Sequence, residues 1–356
     1  TFTLLGGRPM RKIAYLSMDV HVRNCVVGDM NGNGKFMGNR PFTTGENNII
    51  DVLQAVKAKR KYLVMEAGPL ANWVAQTATP YVTEVFISDP RENALIYKSS
   101  LKKDKIDTKK MCRLLRLNEF KEVYRPENDQ RAIFKAAVQH YLDLRDQLTA
   151  IKQKTKAMFR QWGVIDVFTK SVYSTSGRKK FLIQVKQRPI YLQLKRLYAL
   201  MDLTAAMKQD AKKSIKSLGR NYSEIKEFIK IPGIGTVGAH TYDAYIQTPH
   251  RFEKTSRMWR YCKMGVTDRS SDGKQLGYKR LDKAGNGELK ALSHRAFMVA
   301  MKTDNEVKRF YLNSLQATHN RVHARLNTQR KILSVMLSIW KKGQPYRPEL
   351  FLDPSI

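Results

Sequence analysis

Three carboxylates in the first third of the chain are spaced in a way that suits the binding of a divalent metal ion. Asp19 lies at the end of the first predicted strand, Glu66 directly follows a buried strand, and Asp107 lies at the start of a predicted helix. Magnesium prefers hard oxygen ligands, and two ions about 4 Å apart can clamp the attacking and leaving oxygens of a phosphodiester. Taken singly, each acid can also be interpreted as an ordinary exposed residue, and Asp107 as the N-terminal cap of a helix. Jointly, at matching strand ends, they favour a metal site for phosphate chemistry.

A second group of reactive residues lies in the C-terminal third, in the run Gly265-Val266-Thr267-Asp268-Arg269-Ser270-Ser271-Asp272-Gly273-Lys274. Glycine and small polar residues leave the serines accessible. Four cations in or near this run can stabilise a pentacovalent phosphate: Arg269, Lys274, Lys279 and Arg280. A serine hydroxyl is a weak nucleophile without help, and no adjacent His or Lys is an obvious base. The residues alone therefore favour a basic loop that contacts phosphates over a catalytic loop.

A glycine-containing turn precedes the serine segment. The run Lys230-Ile231-Pro232-Gly233-Ile234-Gly235 predicts a hairpin between two helices. Gly233 and Gly235 allow the backbone to approach a phosphate, and the N-terminus of the following helix offers free N–H groups. An ordinary tight turn fits the same residues, but the basic surroundings favour phosphate contact.

The elements that would position the acids follow from the apolar pattern of the first 120 residues. Strands are predicted at 12–20 and 22–29, a hairpin at Asn31-Gly32-Asn33-Gly34 and a short strand at 35–37. Beyond them the spacing of apolar residues predicts a helix at 47–57, strands at 62–65 and 81–87, and a helix at 107–117. A three-stranded meander followed by alternating helix and strand is the order expected of a ribonuclease-H-like α/β layer.

The remainder of the chain is predicted to be mainly helical. Helical spacing over 127–161 and 190–218 flanks a Gly/Ser-containing middle at 174–177, which predicts an antiparallel helical hairpin or coiled coil. Compact helical signals follow, and residues 325–341 carry one apolar face. The predicted domains are therefore 10–122, 126–220 and 222–346.

Composition points to a polyanionic partner. The 356 residues include 65 Lys+Arg against 31 Asp+Glu, a formal net charge of +34, and the basic residues are not confined to a tail. Such a charge favours binding of nucleic acid over a large surface. The three cysteines, Cys25, Cys112 and Cys262, are far apart, which supports neither a disulfide framework nor a zinc site and fits a reducing cytoplasm. No apolar run is long enough to span a membrane, and residues 1–10 lack the apolar core of a signal peptide.

Several of these segments together resemble the DEDD-type insertion-sequence transposases, a family that includes the Piv-like DNA invertases and the bridge-RNA-guided recombinases. The resemblance runs from about Met10 to Tyr346 and depends on the order and spacing of the motifs. The motifs are Tyr15-Leu16-Ser17-Met18-Asp19, Val64-Met65-Glu66-Ala67, Lys105-Ile106-Asp107, Ile231-Pro232-Gly233-Ile234-Gly235, Ser271 with Lys283-Ala284-Gly285, and the closing Ile339-Trp340-Lys341-Lys342-Gly343-Gln344-Pro345-Tyr346.

The resemblance implies a RuvC-like domain whose metal-binding acids are Asp19, Glu66 and Asp107, followed by a helical hairpin and a mainly α transposase domain. It also implies a nucleophilic serine, which falls on Ser271 when counted back from Lys283; Ser270 is one residue away, so the choice between them stays open. In the family a fourth acid follows the third by three residues, and Lys110 stands at that position. Asp104, three residues before Asp107, can substitute; otherwise three acids hold the metal, or Lys110 replaces an ion as a fixed charge.

The function implied by the resemblance is RNA-guided DNA recombination with Mg²⁺, a phosphoserine intermediate and a structured guide RNA. Its expected partners are donor and target DNA and further copies of the chain in a homodimer or homotetramer, with the reactive site formed between protomers. One alternative is a RuvC-like nuclease or junction resolvase that hydrolyses DNA with metal-activated water. Another is a basic RNA- or DNA-binding protein with a degenerate site, which Lys110 supports.

Overall fold

The computed structural model describes residues 11–90, 104–125, 129–267, 270–271, 274–275 and 280–353. The chain divides into two compact units, Thr1–Glu127 and Asn128–Ile356. The predicted boundary within the second unit, between a helical hairpin and a transposase domain, stays a prediction. Among the helices in these ranges, none is long and apolar enough to cross a membrane.

The first unit is built on a mixed five-stranded sheet with the strand order β3-β2-β1-β4-β5. β1 pairs antiparallel with β2, and β2 with β3, whereas β4 and β5 continue the sheet in parallel with β1. The strands are β1 (Arg11–Val20), β2 (Asn24–Asn31), β3 (Phe36–Thr43), β4 (Ala58–Glu66) and β5 (Glu84–Ser88). The predicted meander followed by alternating helix and strand is confirmed.

The turn between β2 and β3 is stabilised by Asn31. Its side-chain oxygen accepts hydrogen bonds from the backbone N–H groups of Asn33 and Lys35, at 3.1 and 2.9 Å. The predicted hairpin is therefore confirmed, but β3 continues to Thr43 and is not limited to 35–37. The apolar pattern missed this extension because β3 is an edge strand with mostly exposed side chains, where Pro41 is tolerated.

Helices cover both faces of this sheet. On one face α1 (Glu46–Ala55) and α2 (Ala71–Ala78) bury Leu16, Met18 and Leu63. On the other face α3 (Asp104–Leu117) packs Met111, Leu114 and Leu115 against Val64. The helix α2 was not predicted, and the strand expected at 81–87 begins only at Glu84 because Thr79–Tyr81 forms a 3₁₀ turn.

The second unit begins with two long helices, α4 (Asp129–Gln161) and α6 (Arg188–Gly219), which pack on each other. Phe134 of α4 shares a core with Ile215 of α6, and Leu148 shares another with Leu194, so the two helices run antiparallel as predicted. The connection contains a 3₁₀ helix, Lys170–Tyr173, and α5 (Thr175–Leu182). Ser174 caps α5 by accepting a hydrogen bond from the N–H of Gly177, so the predicted Gly/Ser-containing middle is a helix start.

The shorter helices of the second unit surround a buried C-terminal helix. The shorter helices are α7 (Glu224–Ile229), α8 (Thr236–Ile246), α9 (Thr255–Tyr261), α10 (Gly287–Ala300) and α11 (Glu306–Thr318), and the C-terminal helix is α12 (Arg321–Lys342). The predicted apolar face of α12 is confirmed, because Ile332, Val335 and Met336 are fully buried. All three cysteines of the chain are free and buried. Burial raises the pKa of Cys112 to about 12, so this thiol stays neutral.

Candidate functional site

Asp19 and Glu66 lie side by side at the carboxyl ends of two neighbouring parallel strands. The register of β1 and β4 pairs Met18 with Met65, and each acid follows its methionine directly. Neighbouring strands are about 4.8 Å apart, and residues at the same register in parallel strands belong to the same face. The predicted convergence of these two strand ends is therefore present in the backbone.

Both acids belong to the face of the sheet that α3 covers. Ser17, two residues before Asp19, donates a hydrogen bond of 2.7 Å to the backbone oxygen of Thr108 in α3. Val64, two residues before Glu66, packs against the same helix. Because strand residues alternate between faces with a period of two, Asp19 and Glu66 share this face. Asp19 is 31% exposed, with Oδ2 3.3 Å from Nε2 of His21.

Asp107 lies on α3 toward the same edge of the sheet. The guanidinium of Arg116, near the end of α3, packs against Gly34 in the hairpin at the amino-terminal end of β1. The helix therefore runs opposite to β1, and its first turn points toward the carboxyl ends of β1 and β4. Asp107 precedes Met111, which packs against Val64, by one helical turn. Topology thus places Asp107 toward Asp19 and Glu66.

The structure does not preassemble these acids into a metal cluster. Among the described side chains, no group of three His, Cys, Asp or Glu residues is close enough to hold one ion. Magnesium commonly keeps several waters and takes one or two protein carboxylates together with substrate phosphates, so two neighbouring strand-end acids fit its needs. α3 includes Asp104, which the spacing of three residues places on the helical face of Asp107. Lys110 is partly buried on the same helix.

The serine segment contains two short antiparallel strand pairs, and we call their residues 266–267, 270–271, 274–275 and 280–281 the serine arm. At its base Val266 pairs with Leu281 and Thr267 with Arg280. Further out, Ser270 pairs with Gln275 and Ser271 with Lys274. For these four outer residues the backbone alone is described, and Arg269 and Lys279 lie outside the described residues. Arg280 is exposed.

The residues alone favoured a loop for this segment, so the serine arm was not predicted. In the sequence, Asp272-Gly273 is a dipeptide that favours a hairpin, and these two residues lie outside the described ranges. The short strands carry no alternation of apolar and polar residues that would have supported it.

Contacts on both sides fix the base of the serine arm. Arg260 forms an ion pair of 2.9 Å with Asp282, whose backbone N–H donates to the oxygen of Gly265 at 2.8 Å. Arg330 donates from Nε to the backbone oxygen of Met264 at 3.0 Å. Burial lowers the pKa of Arg330. The arm therefore leaves the helical core from a defined position.

Gly285 explains the Lys283-Ala284-Gly285 motif in structural terms. Its φ is +110°, and a Cβ there would lie 2.4 Å from the backbone oxygen of Tyr261. The next residue, Asn286, donates its N–H to the same oxygen at 2.6 Å and caps α10. The motif thus fixes the return of the serine arm into α10.

The two glycines in the turn between α7 and α8 have different structural roles. Gly233 has φ +87°, and a Cβ would lie 2.1 Å from the backbone oxygen of Ala296 in α10. Gly235 precedes the first turn of α8 and has open space where a Cβ would be. Gly233 is thus explained by packing, and of the two glycines only Gly235 has open space for a phosphate. Phosphate binding here stays a prediction.

A buried ionic network, which sequence reasoning missed, connects α4 to α7 and α8. Arg131 donates to Asp243 through Nη1 and to Glu224 through Nη2, the latter at 2.7 Å. Its guanidinium lies 3.9 Å from the ring centroid of Tyr222. Burial raises the pKa of Asp243, and the guanidinium of Arg131 opposes that shift. No periodic signal marks such a network, because its members are far apart in sequence.

Comparison with known families identifies the segment that contains the turn and the serine arm. Residues 226–312 match the model of the Transposase IS116/IS110/IS902 family. No curated protein matches the chain. The matched segment is similar to transposases of this family, and it covers less than half of the chain. It supports assignment to the IS110-type transposases, and the predicted resemblance to insertion-sequence transposases is thereby confirmed.

Proposed function

We propose that the protein is an RNA-guided DNA recombinase that excises and inserts a mobile element through a phosphoserine intermediate. The observation that carries the proposal is that one chain combines two neighbouring strand-end acids with a transposase-like segment in which Ser270 and Ser271 lie in a short β-strand. The strand order β3-β2-β1-β4-β5, with α3 on the acid-bearing face, supports a RuvC-like identity for the first unit.

Ser271 is the nucleophile in this proposal. Its hydroxyl oxygen bonds to a DNA phosphorus while the bond from that phosphorus to a deoxyribose oxygen breaks. The hydroxyl proton goes to solvent, and the departing oxygen takes one up. One phosphate ester replaces another, so a second strand can be joined by the reverse reaction without ATP. Ser270 remains the competing candidate, because it is adjacent in the same strand.

Asp19, Glu66 and Asp107 would hold Mg²⁺, with Asp104 as the candidate fourth ligand. Magnesium, when bound there, would supply the positive charge that polarises and positions the phosphate. The carboxylates would orient the ion. Lys110 stands where the family has its fourth acid. If Asp104 is not a ligand, either three acids would hold the metal or Lys110 would replace an ion as a fixed positive charge.

Charge supports nucleic-acid partners for the whole chain. A net charge of +34 attracts donor and target DNA and a structured RNA through their phosphates. Base pairing by the RNA would select the target sequence, while the protein would recognise the shape and the sugar-phosphate backbone of the nucleic acids.

The reactive groups belong to different compact units: the acids to the first and the serines to the second. The reaction therefore requires the two to meet on one DNA strand. A site shared between protomers of a homodimer or homotetramer, with contacts from the helical hairpin, meets this requirement.

The direct test incubates the protein with element-encoded RNA, labelled target DNA and Mg²⁺. Ser271→Ala is expected to lose strand exchange while Ser270→Ala retains it. The reverse result would show that Ser270 is the nucleophile. Recombination by both variants would exclude the serine mechanism. Cleavage to free ends without rejoining would instead favour a metal-dependent nuclease.

A further inference from the structure

The far end of the helical hairpin presents a loop with unusually exposed apolar side chains. This tip loop, residues 162–169, connects α4 to the 3₁₀ helix. Trp162 is 40% exposed, Ile165 66% and Phe168 71%. Single exposed apolar residues are common on protein surfaces. Three within one eight-residue loop form an apolar patch, and such patches indicate a binding surface.

The fold of the tip loop holds these three side chains exposed. Val164 and Val167, which alternate with them in the same loop, are 3% and 1% exposed. Both valines belong to a separate core at this end of the hairpin that also contains Phe159 and Tyr198. The backbone oxygen of Phe168 accepts a hydrogen bond of 3.0 Å from Nζ of Lys156. The tip loop is thus anchored, and its apolar residues are held outward.

Positive charge surrounds the tip loop. Between positions 152 and 188 the chain has ten lysine and arginine residues and one acidic residue, Asp166. The guanidinium of Arg160 lies 6.0 Å from the ring centroid of Phe168. The exposed cations of this segment are Lys154, Arg160, Lys179, Lys180, Lys186 and Arg188.

This charge decides what kind of partner fits the patch. A second copy of the same tip would bring an equal excess of positive charge against it, and like charges at close range oppose association. A polyanion is attracted by the same charge. Aromatic rings flanked by cations are the surface on which unpaired bases stack, with the cations contacting the backbone phosphates.

We propose that the tip loop binds unpaired bases of an RNA, with Trp162 and Phe168 as stacking platforms. RNA exposes unpaired bases in loops and bulges of its folded state, whereas DNA does so only after its strands are opened. This inference rests on the proposed function, which requires a structured RNA partner, and it assigns part of that binding to one loop.

The test measures binding of the full chain to a fluorescently labelled oligouridylate, to an RNA duplex of equal length and to the matching oligodeoxyuridylate. The double variant Trp162→Ala/Phe168→Ala is expected to bind the oligouridylate at least about fivefold more weakly and the duplex with little change. Its salt dependence should match that of the wild type. Lys179→Ala/Lys180→Ala should instead reduce the slope of log affinity against log salt by about 1.4.

Matched controls are Trp73→Ala, an aromatic of similar exposure on α2 (36%), and Val322→Ala (60% exposed); both should bind like the wild type. Unchanged oligouridylate affinity of the double variant would overturn the proposal, as would an equal loss on the duplex. A loss confined to the oligodeoxyuridylate would overturn the assignment to RNA. Altered self-association with unchanged RNA binding would identify a protein-docking surface. Failure of the wild type to bind any RNA would contradict RNA guidance itself.

Discussion

At the scale of single residues, the proposed chemistry depends on two neighbouring acids. Asp19 and Glu66 follow paired methionines in parallel strands, so their proximity is a consequence of register. The sequence predicted this arrangement because both acids directly end apolar strand patterns. It did not predict the contact between Asp19 and His21, because a strand pattern places residues on faces without specifying side-chain partners.

Asp19→Asn should abolish strand exchange while leaving RNA binding intact. The change removes a negative charge from the proposed magnesium site without altering side-chain size, and the basic surface is unchanged. Strand exchange on labelled DNA and RNA binding by gel shift measure the two effects. Asp51→Asn, at an exposed acid on α1, is the matched control and should behave like the wild type. Normal exchange by Asp19→Asn would remove this acid from the site.

The two glycines of the turn before α8 should respond differently to alanine. Gly233→Ala requires a residue with Cβ at φ +87° and places that atom against the oxygen of Ala296, so we expect a loss of more than about 2 kcal/mol in unfolding free energy. Gly235→Ala has open space and should cost about 1 kcal/mol or less. Denaturant unfolding compares them; equal losses would contradict the assigned packing role of Gly233.

At the scale of elements, sequence patterns succeeded where they were long or carried specific turn residues. The hairpin at Asn31–Gly34 and the helices α4, α6 and α12 were predicted from such signals. The helix α2 was missed because it is only eight residues long and small residues form its buried side. The serine arm was missed because its strands of two residues each are too short to show a period.

The network around Arg131 links α4 to α7 and α8, so its removal should affect stability and its pH dependence. Arg131→Met leaves Asp243 buried without its cation and should cost about 3–5 kcal/mol. Burial raises the pKa of Asp243, and loss of the guanidinium removes the main opposing influence. The folded variant then holds a proton that the unfolded chain has released, so its stability falls as pH rises through the raised pKa.

Denaturant unfolding across a pH series measures this effect. Lys213→Met is the control, because its ion pair with Asp210 is exposed and such pairs contribute about 1 kcal/mol or less. A pH profile of Arg131→Met parallel to that of the wild type would contradict this expectation, because it would show that loss of the guanidinium does not change the pKa of Asp243.

At the scale of the whole molecule, composition predicted the partner class better than any single motif. A net charge of +34 spread over the sequence indicates nucleic acid, and the match of residues 226–312 to a transposase family agrees with it. Neither charge nor periodicity could reveal how the acids and the serines would meet in the proposed reaction.

The central claim is that a serine of the arm becomes covalently linked to DNA. The most direct measurement stops the reaction of full-length protein, guide RNA, Mg²⁺ and labelled DNA with denaturant and maps any DNA-linked peptide by mass spectrometry. We predict a linked nucleotide on Ser271, absent from Ser271→Ala and from reactions without Mg²⁺. DNA that is cut or exchanged with no protein-linked strand at any time would contradict the account.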